Sequence, residues 1–258
     1  MTKNENTERE RKHSDKNRKF VPKVDTVLRN HIIQVPKVIY DCSGIQIMRR
    51  RIKSIIFTTD VAIMRNHNAD ALMAVYPFTP ELVITQAAIN CSPVPVFAGV
   101  GGGQTTGKRS VGIAFQAELI GAAAVVVNSP TKPEVIRDMF RETDIPIIAT
   151  VGSIHDEVRP KIEAGARILN VSGGAKTAEL VRQVREIVGP DFPIIATGGP
   201  TDETILDTIA AGANAITYTP PSCADIFSEK MAKYREQAHK TYNLAQEEGR
   251  KINDSERK

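Results

Sequence analysis

Asp60 closes the apolar run Ile55-Ile-Phe-Thr-Thr-Asp60, where a carboxylate can work as a general acid or base if burial or a nearby cation tunes it, or can cap a following helix. Lys108 and Arg109 follow the glycine-rich stretch Gly99-Val-Gly-Gly-Gly-Gln-Thr-Thr-Gly107. That stretch nearly spells a Walker A loop, but Arg109 stands where the magnesium-binding Ser or Thr belongs, so nucleotide hydrolysis is not indicated. The alternatives for Lys108 are a cation brought over a substrate and a solvated first helical turn. Lys176 lies in Asn170-Val-Ser-Gly-Gly-Ala-Lys-Thr177, as an anion ligand or an amine nucleophile. The glycine pairs Gly173-Gly174 and Gly198-Gly199 each precede a helical pattern, so free backbone N–H groups there can face an oxyanion beside a positive helix end, or can serve only as tight turns. Ser222, in Thr219-Pro-Pro-Ser222, can donate to the same anion or cap the last helix. The histidines His13, His31, His67, His155 and His239 are scattered without a ligand spacing, so no metal is expected.

Two interleaved repeats dictate what positions these residues. One class runs from proline into glycine: Pro95-Val-Phe-Ala-Gly, Pro146-Ile-Ile-Ala-Thr-Val-Gly and Pro193-Ile-Ile-Ala-Thr-Gly-Gly, with prolines 51 and 47 residues apart. The other follows a small dipeptide: Gly121-Ala-Ala-Ala-Val-Val-Val-Asn128, Gly165-Ala-Arg-Ile-Leu-Asn-Val-Ser172 and Gly212-Ala-Asn-Ala-Ile-Thr-Tyr-Thr219, with Asn68 to Val75 as an earlier member. With Ile52 to Thr58 these give eight short strands, near 52–58, 70–75, 94–99, 123–128, 145–150, 167–171, 192–197 and 214–219. Helical periodicity separates them, most clearly at 133–141 and 177–188. Strands apolar almost throughout need cover on both faces, and eight such units in a row predict an α/β fold, a (β/α)8 TIM barrel; an open flavodoxin-like or Rossmann sheet is the alternative. Val38 to Ile47 reads as an N-terminal hairpin turning at Asp41 to Gly44 and closing the barrel floor, and a helix from about Ala224 to Gln246 is expected to cover the last strand.

In such a barrel the C-terminal strand ends carry the site. The repeat places Asn128, Ser172 and Thr219 at one equivalent position, with Asn170 and Thr217 two residues below and facing the same way. These polar residues either line a pocket or satisfy one another.

The 258 residues are 41% hydrophobic, enough for one large core, and carry a net charge of +4. Residues 1–20 hold seven basic and four acidic residues, so most of the excess lies in a segment too polar to fold, expected to be a disordered tail over 1–30, with the barrel over 31–245 and a charged fringe over 246–258. That location does not indicate a specific nucleic-acid partner. No long apolar run suggests a membrane span or signal core, and three widely spaced cysteines fit a reduced cytoplasm.

From about Val38 to Arg235 the sequence resembles a bacterial family of uncharacterised barrel proteins generically labelled "hydrolase". The residues concerned are Arg51-Ile-Lys-Ser-Ile-Ile-Phe-Thr-Thr-Asp60, Ala74-Val-Tyr-Pro-Phe-Thr79, Gly99-Val-Gly-Gly-Gly103, Leu169-Asn-Val-Ser-Gly-Gly174, Ile195-Ala-Thr-Gly-Gly-Pro-Thr201 and Ala215-Ile-Thr-Tyr-Thr-Pro-Pro221. Strands six to eight are more distantly similar to aldolase-type, ribulose-phosphate-binding barrels and to flavin-binding barrels such as nitronate monooxygenases. The expectation is an enzyme on a small phosphorylated or carboxylated metabolite, of lyase/aldolase or isomerase type, with the anion on the loops after strands six to eight. A hydrolase, an FMN-dependent oxidoreductase and a non-catalytic sensing barrel are the alternatives. No cofactor is predicted unless FMN fills the cradle, and the partners are a small anionic substrate and, as an option, further copies of the chain.

Overall fold

The computed structural model describes Pro22, Val24, Thr26 and residues 31–255, with side chains to Leu244 and at Gln246. The expected disordered tail falls almost wholly outside the described residues. Met1–Ile32 and Ile33–Lys258 are separate contact units, and the described residues of the first carry no helix or strand.

The second unit opens with a 3-10 turn, Lys37–Asp41, and a hairpin of β1 (Ile45–Ile47) and β2 (Arg50–Ile52). Eight strands follow: β3 (Ser54–Phe57), β4 (Ala71–Ala74), β5 (Val96–Gly101), β6 (Ala124–Val127), β7 (Ile147–Val151), β8 (Ile168–Val171), β9 (Ile194–Thr197) and β10 (Ala215–Tyr218). They close in sequence order, β10 pairing with β3, and every pairing is parallel. The helices are α1 (Val61–Arg65), α2 (Leu82–Cys91), α3 (Lys108–Leu119), α4 (Pro133–Glu142), α5 (Val158–Glu163), α6 (Thr177–Val188), α7 (Asp202–Ala210) and α8 (Cys223–Ser255).

Strand side chains alternate between two cores, as the pleat requires. Ile55, Met73, Phe97, Val126, Ile148, Ile168 and Ile195 point inward, and Ile56, Leu72, Val125, Leu169 and Ile216 belong to the helix-facing layer. The helices bury matching stripes, such as Leu180, Val181 and Val184 on α6, and Ile136 and Met139 on α4, which starts with Pro133 in its first turn.

The N-terminal hairpin is present, but one step later in the chain than its turn residues suggested. Asp41 ends the 3-10 turn, and the hairpin reverses at Met48 and Arg49, both in the left-handed region at φ 47° and 65°. Ile45, Ile47 and Ile52 join the inner core with Ile55, Ala71, Ala124, Ile168 and Ala215, so the hairpin does plug the floor. The helix after β10 also differs from expectation. It runs on through the charged segment to Ser255, and Phe227 and Tyr234 on it remain exposed, so it does not pack along the last strand, which is buried by other elements. Residues 33–42 cover the β10–β3 seam in its place. Ile33 bridges to His67, the Val35 N–H donates to Asn68 Oδ1, Lys53 Nζ reaches the Tyr40 carbonyl, and the 3-10 turn packs on α7. Val35, Ile39 and Cys42 are buried there.

Candidate active site

The barrel mouth is divided by chemistry. Thr150, Asn170, Thr197 and Thr217 each stand two residues beyond an inward core residue (Ile148, Ile168, Ile195 and Ala215), so four consecutive strands present a polar arc to the lumen. Across from them Phe57 and Val75 pack on the inner core, and Val75 closes on Gly99, where a Cβ would lie 3.1 Å from the Val75 Cγ2. Thr150 and Thr197 escaped the sequence reading, although both end the repeated Pro-Ile-Ile-Ala-Thr segment and the repeat alone would have found them.

Above the arc on the β8–β10 side is a cavity of about 730 Å³, lined by Ser172, Gly174, Thr177, Thr197, Gly198, Gly199, Thr217 and Thr219. Thr177 Oγ1 lies 3.1 Å from Thr197 Oγ1, accepts from the Gly173 N–H and donates to the Gly174 carbonyl. Asn170 Nδ2 donates to Thr150 Oγ1 at 3.3 Å. Two polar atoms in this arc are buried without a partner, Asn170 Oδ1 and Thr217 Oγ1. Such atoms are uncommon, because leaving one unsatisfied costs about 1–3 kcal/mol.

The other expected residues separate. Gly174 and Lys176 bound the 3-10 turn that opens α6, with Gly173 just before it; Gly174, at φ 60° in open space, has no acceptor for its N–H among the described residues, and the Lys176 side chain is exposed. Gly198 and Gly199 serve packing. A Cβ on Gly198 would lie 2.7 Å from Ile216 Cγ2, one on Gly199 would lie 2.6 Å from Thr204 Oγ1, and the Gly198 N–H already donates to the Thr217 carbonyl. The start of α7 is taken by its own groups: Thr201 and Thr204 form a reciprocal capping box, with Asp202 and Glu203 in the first turn. Ser222 exchanges hydrogen bonds with Asp225 at the start of α8, so its hydroxyl is engaged.

Asn128 is across the mouth, lining a small separate hollow with Val75, Tyr76 and Gly99. Lys108 and Arg109 are exposed on the first turn of α3, and the loop before them is pinned, with Gly102 N–H on the Thr105 carbonyl and Asn128 N–H on the Gly101 carbonyl. His155 is exposed, and among the described residues no three His, Cys, Asp or Glu side chains converge as a metal site.

Asp60 caps α1, its Oδ1 accepting from the Ala62 N–H at 2.8 Å and the Ile63 N–H at 3.2 Å. The neighbouring Cys223 thiol does most to hold this carboxyl below the usual range, and the carboxylate in turn raises the thiol.

The cation that does approach the arc was not singled out from sequence. Lys161 on α5 is buried, and its Nζ donates to the Thr150 carbonyl at 3.1 Å and the Ser129 carbonyl at 2.7 Å. Burial pushes its ammonium pKa down, partly opposed by Asp156 and then Glu157. Asp156 accepts from Ser129 Oγ and the Gly152 N–H, so this cluster fixes the loops after β6 and β7. Its signal was the spacing from Val158 to Lys161, which puts a lysine on the buried side of a helix.

Neither a protein-family model nor a curated protein matches the sequence. Solved structures do. Phosphoenolpyruvate phosphomutase from Streptomyces platensis subsp. rosaceus is 12% identical, over 83% of this chain and 86% of its own, with a TM-score of 0.55. 2,3-Dimethylmalate lyase, a PEP mutase/isocitrate lyase superfamily member, is 16% identical over 79% and 85%, with a TM-score of 0.55. Dihydrodipicolinate synthase DapA-2 from Bacillus anthracis is 15% identical over 72% and 77%, with a TM-score of 0.53. These three neighbours are enzymes, and at such identities what the chain shares with them is the aldolase-type (β/α)8 barrel.

Proposed function

We propose that this barrel is an enzyme of lyase or isomerase type that acts on a small carboxylated or phosphorylated metabolite bound over β8–β10. The carrying observation is the pair of buried, unpartnered atoms, Asn170 Oδ1 and Thr217 Oγ1, in the polar arc of the mouth. A ligand reaching the arc relieves both penalties, the carboxamide oxygen taking a donor and the threonine hydroxyl giving or taking one. An oxyanion fits beside them at the opening of α6, where the Gly174 N–H is free, Ser172 and Thr219 add hydroxyls, and the helix end is positive. The enzymes of like fold act, by their names, on phosphoenolpyruvate and dimethylmalate, which are anions of this size.

A second reading, a barrel that binds without turnover, has one observation in its favour: among the described residues no lysine, histidine or cysteine lines the cavity. The test is calorimetric titration with 2-oxo and 2-hydroxy dicarboxylates and phosphate monoesters, followed by product analysis. The expected outcome is one class that binds and is converted, with Thr217→Val weakening binding by about tenfold, the worth of one hydrogen bond. Binding that ignores Thr217→Val, or none across the panel, overturns the site; binding without product selects the second reading.

A further inference from the structure

The cavity over β8–β10 reaches from the mouth to the facing sides of α6, at Thr177, and α7, at Thr204, Asp207 and Thr208, and its two flanks offer a ligand opposite things. Among the described residues the one charged side chain on its wall is Asp207. That carboxylate has neither an ion-pair nor a hydrogen-bond partner among the described residues. The hydroxyls around it have their protons committed inside the protein. Thr204 Oγ1 donates to the Thr201 carbonyl and Thr208 Oγ1 to the Thr204 carbonyl, both at 2.8 Å. Thr177 Oγ1 donates to the Gly174 carbonyl, so in its 3.1 Å contact with Thr197 the Thr197 hydroxyl is the donor. A hydroxyl has one proton to give, so towards a ligand Thr197, Thr204 and Thr208 can only accept.

The α7 flank therefore presents acceptors and a full negative charge, on a helix that carries Asp202, Glu203 and Asp207 and no basic residue. The α6 flank is its complement, with the free Gly174 N–H, the positive helix end and the exposed Lys176 beside it. A ligand that is anionic at both ends would set one anion against Asp207. A protonated amine answers that flank instead, because it brings three N–H donors and a positive charge to a carboxylate and to lone pairs that lack a donor. Resting on the reading of this cavity as the substrate site, we propose that the metabolite is zwitterionic: its oxyanion lies at the opening of α6 and its primary ammonium lies against Asp207, with Thr204 and Thr208 accepting from it.

The test is calorimetric titration of the full chain with ω-aminoalkyl phosphates of increasing length, each beside the alkyl and hydroxyalkyl phosphates of the same length, and with ω-amino carboxylates in parallel to identify the oxyanion. The titrations are repeated on Asp207→Asn, an exposed position outside the capping box of α7, and on Thr217→Val. The expected result is that the best-fitting amine binds about fivefold more tightly than both of its counterparts, the worth of one solvent-exposed ion pair. The preference should shrink as salt is added and vanish in Asp207→Asn, which should hold the plain alkyl phosphate at least as well as the native chain does. A hydroxyalkyl phosphate that binds as well as the amine overturns the proposal, as does an amine preference that survives in Asp207→Asn. Either of those results leaves the substrate site itself standing so long as Thr217→Val weakens binding. Binding indifferent to Thr217→Val, or no binding in either series, overturns both.

Discussion

Asn170 on β8 reaches Thr150 on β7 with its Nδ2, 3.3 Å from the hydroxyl, and that contact leaves Oδ1 bare in the barrel lumen. Thr217, on the other side of the arc, is bare at Oγ1. A fold selected for stability alone would fill such positions with valine or leucine, as it does one layer lower with Ile148, Ile168 and Ile195.

Thr217→Val should therefore make the protein more stable while weakening ligand binding. The change keeps the shape and removes an unsatisfied hydroxyl, a gain on the order of 1 kcal/mol, read as a higher urea midpoint at unchanged slope. Destabilisation by more than about 1 kcal/mol would mean that the hydroxyl has a structural partner after all.

At the other end of the barrel, Arg185 on α6 is a structural clamp. Its Nη1 donates to the carbonyls of Gly189, Pro190 and Phe192, and its Nη2 to the Gly212 carbonyl and Asn214 Oδ1. A lysine cannot reproduce this fork. Arg185→Lys should cost on the order of 2–4 kcal/mol in chemical denaturation while leaving ligand affinity unchanged, since the clamp holds the floor loops and touches nothing at the mouth. A loss of ligand affinity with unchanged stability would refute the assignment.

The barrel was legible because its repeat is written twice over, in the proline-to-glycine and the small-dipeptide frames, and because α6 ends at Gly189, which adopts φ 79°. The hairpin was misplaced for a physical reason. Two-residue turns with both φ positive favour Asn-Gly, yet Met48 and Arg49 hold that conformation while Ile45, Ile47 and Ile52 are buried against the barrel. Gly44, which looked like the turn, is a glycine at φ 84° whose Cβ would strike Arg51. Sequence likewise cannot separate a glycine that frees an N–H, as Gly174 does, from one that clears space for Ile216 and Ile205, as Gly198 does. That distinction lies in tertiary packing.

The proximity of Asp60 to Cys223 gives a chemical handle on the first residue of α8. The Asp60 carboxylate raises the Cys223 thiol above the ordinary range, so this thiol should alkylate slowly at mildly alkaline pH. Asp60→Asn keeps a good helix cap and removes the charge. Site-resolved mass spectrometry with iodoacetamide should show Cys223 reacting faster in the variant. Cys42, buried and pushed up to about 11, should stay unlabelled in both. An unchanged Cys223 rate would mean that the two side chains do not interact.

His67 should make stability depend on pH. It is buried beside Ile33, its Nδ1 accepts from the Ala69 N–H, and Nε2 has no partner, so the neutral ring with its proton on Nε2 is the form the fold accepts. Burial lowers its pKa from 6.5, with a smaller opposing effect from the Met64 backbone. The direction follows. Above 6.5 the ring is neutral whether folded or unfolded, and its neutrality has no pH-dependent cost. As pH falls from there toward the lowered folded value, the unfolded chain takes up a proton that the folded chain does not, and stability drops, by up to about 1.4 kcal/mol per pH unit. Urea unfolding at a series of pH values from neutral into the mildly acid range should show this slope in the native chain and a shallower one in His67→Asn, which is uncharged throughout. Equal slopes in the two proteins would assign the acid sensitivity to another group.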